Sequence, residues 1–134
     1  FKTPSEVIDT YEISDEYDVH SLSSWADIER DLSAWLGNSL QHDAMERVYS
    51  LEKRVKQTND PSLLDNWARL LTSDHFYYMS TKYWNDGDVH KYFSHYNTPY
   101  DAYINFMNVV TDLEHVLELS LENKVGPATS SILV

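Results

Sequence analysis

NTPYDAYINFMNVVTDLEHVL, residues 97–117, decides the fold. Tyr103, Phe106, Val110, Leu113 and Leu117 recur at spacings of three, four, three and four, which places them on one face of an α-helix. Thr98 is the expected cap of that helix, with Asp101 in the position that returns the capping bond.

Working back along the chain, Asn59-Asp60-Pro61 reads as a turn, a cap and a first-turn proline. The helix it opens carries Leu63, Trp67, Leu70, Asp74 and Tyr78 on one stripe, with Leu64, Leu71 and His75 beside them. Earlier, a helix is expected from Ser24, with Trp25, Ile28, Leu32 and Trp35 sharing a face. Gly37-Asn38 breaks or bends it, and Leu40, Ala44, Val48, Leu51 and Val55 continue a coiled-coil-like seam to about Gln57. Thr3-Pro4-Ser5-Glu6 starts a short helix that runs to about Tyr11, with Thr3 and Glu6 as a capping box. Residues 12–24 have no helical period and read as a solvated connector.

No segment alternates with period two, and three glycines leave little material for hairpin turns. The expected fold is therefore all-α: a bundle of three long helices, a short N-terminal helix and an ordered aromatic loop. It forms one domain over residues 1–134, with residues 125–134 as a frayed tail. The length suits a single domain that buries a real core. Beginning on Phe1, the chain reads as a piece of something longer.

A net charge of -12 repels phosphate backbones and anionic headgroups, so neither nucleic acid nor a membrane surface is an expected partner. The absence of cysteine removes disulfides and thiolate chemistry and is compatible with a reducing cytoplasm, the expected compartment. No apolar run approaches a membrane span, and no signal peptide is visible.

Phosphate-binding glycine loops, HExxH and GxSxG are all missing, and no cofactor, metal site or catalytic residue is signalled. The DGDVH run at residues 86–90 reads as turn chemistry in preference to a metal loop. Asp27, Glu29 and Asp31 beside Arg30 read as a solvated or ion-paired face. Trp25, Trp35 and Trp67 fit an apolar core stripe.

The richest stretch is LLTSDHFYYMSTKYWNDGDVHKYFSHY, residues 70–96, where aromatics collect around three histidines and three aspartates. Rings that stack on pyranose faces, mixed with donors and acceptors for hydroxyls, suit sugar recognition, and the same mixture also suits a wet bundle core. Within it Asp74 takes a place where an apolar residue is expected. A carboxylate there needs a partner, for which His75, Arg69, Arg30 and Lys82 are candidates, or it faces a ligand together with His75.

The strings SSWADIERDLSAWLGN (residues 23–38), LTSDHFYYM (71–79), DGDVHKYF (86–93) and PYDAY (99–103) resemble, in this order, the C-terminal helical part of family 57 glycoside hydrolases, the α-amylase-like members in particular. The opening TPSEVI (3–8) is similar to that family's junction after its catalytic barrel. The resemblance runs to about Leu113. It implies a parent enzyme that cleaves or transfers α-glucan with retention, using a glutamate and an aspartate on an incomplete β/α barrel absent from these residues. This chain alone is then expected to be inactive. The resemblance implies that Asp74 faces the substrate cleft, that Trp25 and Trp67 add cleft wall, and that His75 lies beside the substrate. It makes α-glucan or maltooligosaccharide and the missing barrel the expected partners. The competing expectation is a non-enzymatic acidic module that binds carbohydrate or a protein through residues 70–96.

Overall fold

The computed structural model describes residues 1–82 and 92–125, with side chains as far as Glu122 at the C-terminal end. Among these residues the elements are all helices: α1 (Pro4–Thr10), α2 (Ser33–Leu36), α3 (Ser39–Ser50), α4 (Glu52–Thr58), α5 (Pro61–Leu70), α6 (Ser73–Tyr77) and α7 (Pro99–Val125). The all-α expectation holds, and α7 takes in Val125. Residues 126–134 and the DGDVH run lie outside the described residues.

Helix starts follow the caps written in the sequence. The Thr3 side chain accepts from the Glu6 amide and the Glu6 carboxylate accepts from the Thr3 amide at 2.7 Å. Asp60 accepts from the Ser62 amide at 2.8 Å, and Thr98 accepts from the Asp101 amide at 3.1 Å. Asn59, at φ 48°, closes α4 in the left-handed region that asparagine tolerates.

The 27 residues of α7 form a rod about 40 Å long against which α3, α4 and α5 pack. Ala102, Phe106, Val110, Leu113 and Leu117 of α7 meet Ala44, Val48, Leu51, Val55, Leu63, Trp67 and Leu70 in one core. Ala102 takes the place the spacing gave to Tyr103, which is half-buried and bonds Asp43 of α3 through its hydroxyl. Arg47 and Arg54 bridge to Glu114, and Arg54 to Glu118. Such partly exposed pairs add at most about 1 kcal/mol each, so apolar burial holds the seam.

Leu51 divides α3 from α4. Its amide bonds the Val48 carbonyl at 3.3 Å, and the Trp67 indole N–H donates to that same carbonyl at 2.8 Å. A side chain tapping the hydrogen-bond ladder is a recognised cause of a helix bend, and here it locks α5 onto the joint.

Two long-helix expectations are corrected. Residues 24–32 are not helical: Asp27 (φ 62°) and Arg30 (φ 54°) take left-handed conformations, and helix begins only at Ser33. The competing bonds come from side chains. Asp31 accepts from the Ser33 amide at 2.8 Å, the Ser24 amide donates to the Arg30 carbonyl at 2.8 Å, and the Arg30 guanidinium donates to the Trp25 carbonyl. Trp25 and Ile28 consequently point outward, while Ala26 is buried against Ala34 and Tyr77.

The stripe through Leu63, Trp67 and Leu70 also stops at Leu70. Leu71 and Thr72 bond three residues back, to Ala68 and Arg69, and Thr72 is extended before α6 restarts at Ser73. Asp74 thereby leaves the apolar stripe and lies exposed in the first turn of the new helix.

Candidate functional site

α6 is the element around which the candidate site is built. Phe76 and Tyr77 anchor it in the core, and α2 and α3 pack on it. Gln41 of α3, fully buried, fixes the junction: its amide nitrogen donates to Ala34 O at 2.7 Å and Phe76 O at 2.9 Å, and its oxygen accepts from the Gly37 and Asn38 amides at 2.8 and 3.1 Å. Asn38 adds a bond to Met79 O at 2.8 Å. The turn after α6 is thus tied to the start of α3.

On this anchored helix the Asp74 carboxylate has no hydrogen bond or ion pair among the described residues, because every candidate partner is engaged elsewhere. Arg69 holds Asp65 at 2.7 Å, Arg30 holds the Trp25 carbonyl, Lys82 holds Asp27 and Glu29, and the His75 ring nitrogen lies 3.2 Å from Arg69 O. Of the two readings of Asp74, structural pairing and ligand contact, pairing finds no partner there.

His75 does not join Asp74. It is half-buried with its ring 5.5 Å from Phe106, and it lines a different depression, a groove of about 440 Å³ between α5 and α7 floored by Leu63, Leu70, Val109 and Val116. Trp67 is further removed: 8% exposed, bonded to Val48 and edge-on to Tyr49 at 6.4 Å, it is a core pin.

Trp25 lies open to solvent. It is 74% exposed, edge-on to Trp35 at 6.0 Å, and Trp35 lies 5.9 Å from Tyr77 of α6. A ladder of rings therefore runs from solvent to the helix that carries Asp74. Beneath it, Trp35, Leu36, Met45, Tyr49, Leu71 and Ser73 line an apolar cleft of about 200 Å³. The aromatic stretch 70–96 divides in the same way: Phe76 and Tyr77 are core, Tyr78 stacks with His95 and Tyr96, and Tyr92 and Phe93 are exposed.

The acidic run beside Trp25 is an ion-paired face, and its cation is Lys82, not Arg30. The Lys82 ammonium donates to Asp27 at 3.0 Å, Glu29 at 3.0 Å and Ser33 Oγ at 2.6 Å. Burial pulls the Lys82 pKa down, but the bonds to Asp27 and Glu29 and their charges outweigh it, and the net shift is upward. The bond from Lys82 holds the Glu29 pKa below the carboxylate range, and the bonds from Ser33 do the same for Asp31. Lowered carboxylates stabilise above their ordinary pKa and cease to as pH falls through the lowered one; a raised lysine stabilises below its ordinary pKa and ceases to as pH rises through the raised one. Amide protection in residues 24–31, the exchange rate taken relative to the intrinsic rate at each pH, is therefore expected to stay high from above the carboxylate range to below the lysine range, and to fall on both sides. Protection that falls only on the alkaline side would contradict the pairing.

Among the described residues no group of three or more His, Cys, Asp or Glu is placed to hold a metal ion, and no helix is long and apolar enough to cross a membrane.

The geometry defines an all-helical, acidic chain that exposes Trp25 and an Asp74 carboxylate without a partner among the described residues. No protein-family profile matches the chain, and no solved structure matches it. A Methanocaldococcus jannaschii protein that carries the name "Putative alpha-amylase" is 39% identical over 124 residues, covering 85% of this chain. The match takes in 27% of that relative, so the chain spans about a quarter of its length.

Proposed function

We propose that this chain is the helical segment of a retaining, α-amylase-like glycoside hydrolase of family 57, where Asp74 and the Trp25 platform form one wall of an α-glucan cleft. The 39% identity to an amylase-named relative over most of the chain carries the reading. In this reading the reacting glutamate and aspartate lie in the remainder of the enzyme, because retention needs two carboxylates roughly 5 Å apart on rigid elements. Asp74 accepts a sugar hydroxyl, and Trp25 stacks on a pyranose face. Trp67 holds the wall from behind.

The N-terminal arm supports the need for a larger body. α1 has no buried residue, and Ile8, Ile13, Tyr17 and Leu22 are exposed in succession. In this reading that apolar series packs against the remainder of the enzyme. Its charge, nine acidic residues against two basic over positions 1–31, fits a partner face that is apolar with basic edges.

Two measurements test the reading. The 134-residue chain incubated with soluble α-glucan is expected to release no reducing ends; turnover by it would place the reacting carboxylates here and overturn the assignment. Maltoheptaose is expected to quench tryptophan fluorescence weakly, with Kd in the millimolar range, because a single wall supplies few of the contacts of a closed cleft. Micromolar binding would instead identify a self-sufficient carbohydrate module.

A further inference from the structure

We propose that Lys82 is the positioning residue that holds the Trp25 platform, fixing from 57 positions away the ring that stacks on a hexopyranose. The proposal rests on the α-glucan reading for its ligand, and on geometry alone for its clasp.

The Trp25 ring meets the helical scaffold edge-on at Trp35 of α2, with ring centroids 6.0 Å apart. Trp25 itself sits in the loop of residues 24–31, which contains two left-handed non-glycine residues and precedes α2. Two further ties hold the loop to the body. One is Ala26, 2% exposed against Ala34 and Tyr77; a methyl group is a small anchor for a loop carrying a tryptophan. The other is Lys82, whose side chain is 16% exposed while its partner Asp27 is 4% exposed. The ammonium has three donors, and three oxygens meet them: Asp27 and Glu29 on the loop and Ser33 at the first position of α2. Asp27 and Glu29 flank Ile28 and lie two and four positions after Trp25, so the clasp restrains the loop just past the tryptophan.

A stacking platform gains affinity by being ordered before the ligand arrives, since ordering on binding is subtracted from the contact energy. The ammonium is desolvated and charge-compensated at one place, which a floppy loop does not provide. Lys82 touches no sugar in this scheme and acts through Trp25.

The test uses the 134-residue chain with three substitutions and two readouts. In Lys82→Met, amide exchange of residues 24–31 is expected to quicken at least tenfold while α3 and α7 exchange as before, and maltoheptaose affinity is expected to fall about tenfold. Lys82→Arg, which keeps the charge and the donors, is expected to restore most of both. Glu29→Gln removes only the charge of the half-exposed arm of the clasp and is expected to give about a threefold loss in each, which keeps the proposal testable should Lys82→Met fail to fold. Unchanged exchange in the loop of Lys82→Met overturns the clasp, as does a uniform quickening that includes α3 and α7. Lost affinity with an intact loop overturns the route through Trp25. Failure of the unsubstituted chain to bind maltoheptaose at any accessible concentration overturns the glucan ligand, and the exchange readout then judges the clasp by itself.

Discussion

Replacing Gln41 by leucine is expected to cost about 3–5 kcal/mol, read as a lower urea midpoint, which is a large part of the roughly 5–15 kcal/mol by which a domain is stable. Leucine fills the volume and has good helix propensity, so the loss comes from the partners left behind. Gln41 is completely buried and uses both ends of its amide, with two donated and two accepted bonds. Its removal orphans the Ala34 carbonyl and the Gly37 and Asn38 amides, while the Phe76 carbonyl keeps the Met79 amide at 3.1 Å. A buried orphan costs about 1–3 kcal/mol, and partial hydration of the α2–α3 corner keeps the sum below three full penalties. Gln41→Glu discriminates between volume and bonding: the carboxylate still accepts but cannot donate while ionised, so its deficit is expected to shrink at acid pH. A Leu variant as stable as the parent would show that the network is dispensable.

Gln41 also shows where the sequence was readable. Its capping role follows from spacing, since Asn38 and Gln41 stand as N-cap and N3 of α3. Nothing local shows that the far end of the amide reaches Phe76 O, 35 positions on. The seam expectation named Leu40 as its first core position, whereas Leu40 is half-buried and Gln41 fills the core. The elements with an apolar stripe or an explicit cap, α1, α3 to α5 and α7, were legible because periodicity and capping are local properties.

Residues 24–32 depart from the helical expectation for the same physical reason that makes them interesting. Trp25, Ile28, Leu32 and Trp35 have helical spacing, but the acids between them find stronger partners in Lys82, Ser33 and the loop backbone, and tertiary bonds override period. Asp74 was legible as an anomaly and misplaced in detail. It occupied an apolar position in the pattern because the pattern runs across a helix break; once Thr72 restarts the chain as α6, the carboxylate faces solvent. The pairing of Asp74 with His75 was an inference from adjacency, and adjacent residues on a helix project about 100° apart, here toward different surfaces.

That geometry sets the second large prediction. Asp74→Ala, introduced into a full-length enzyme that contains this segment, is expected to lower kcat/KM on α-glucan ten- to hundredfold and to leave the unfolding midpoint within about 0.5 kcal/mol of the parent. The stability half follows from exposure and from the want of any bond to the carboxylate among the described residues. The activity half follows from the worth of a hydrogen bond between a charged acceptor and a sugar hydroxyl, about 1.5–3 kcal/mol, at a position held rigidly by Phe76, Tyr77 and Gln41. Asp74→Asn keeps an acceptor without the charge and is expected to fall between the two. His75→Ala supplies the internal contrast: its ring lines the α5–α7 groove, so the expected change in kcat/KM is under threefold. Equal losses at Asp74 and His75 would mean that the cleft lies over the α5–α7 groove and that the wall has been assigned to the wrong face of α6.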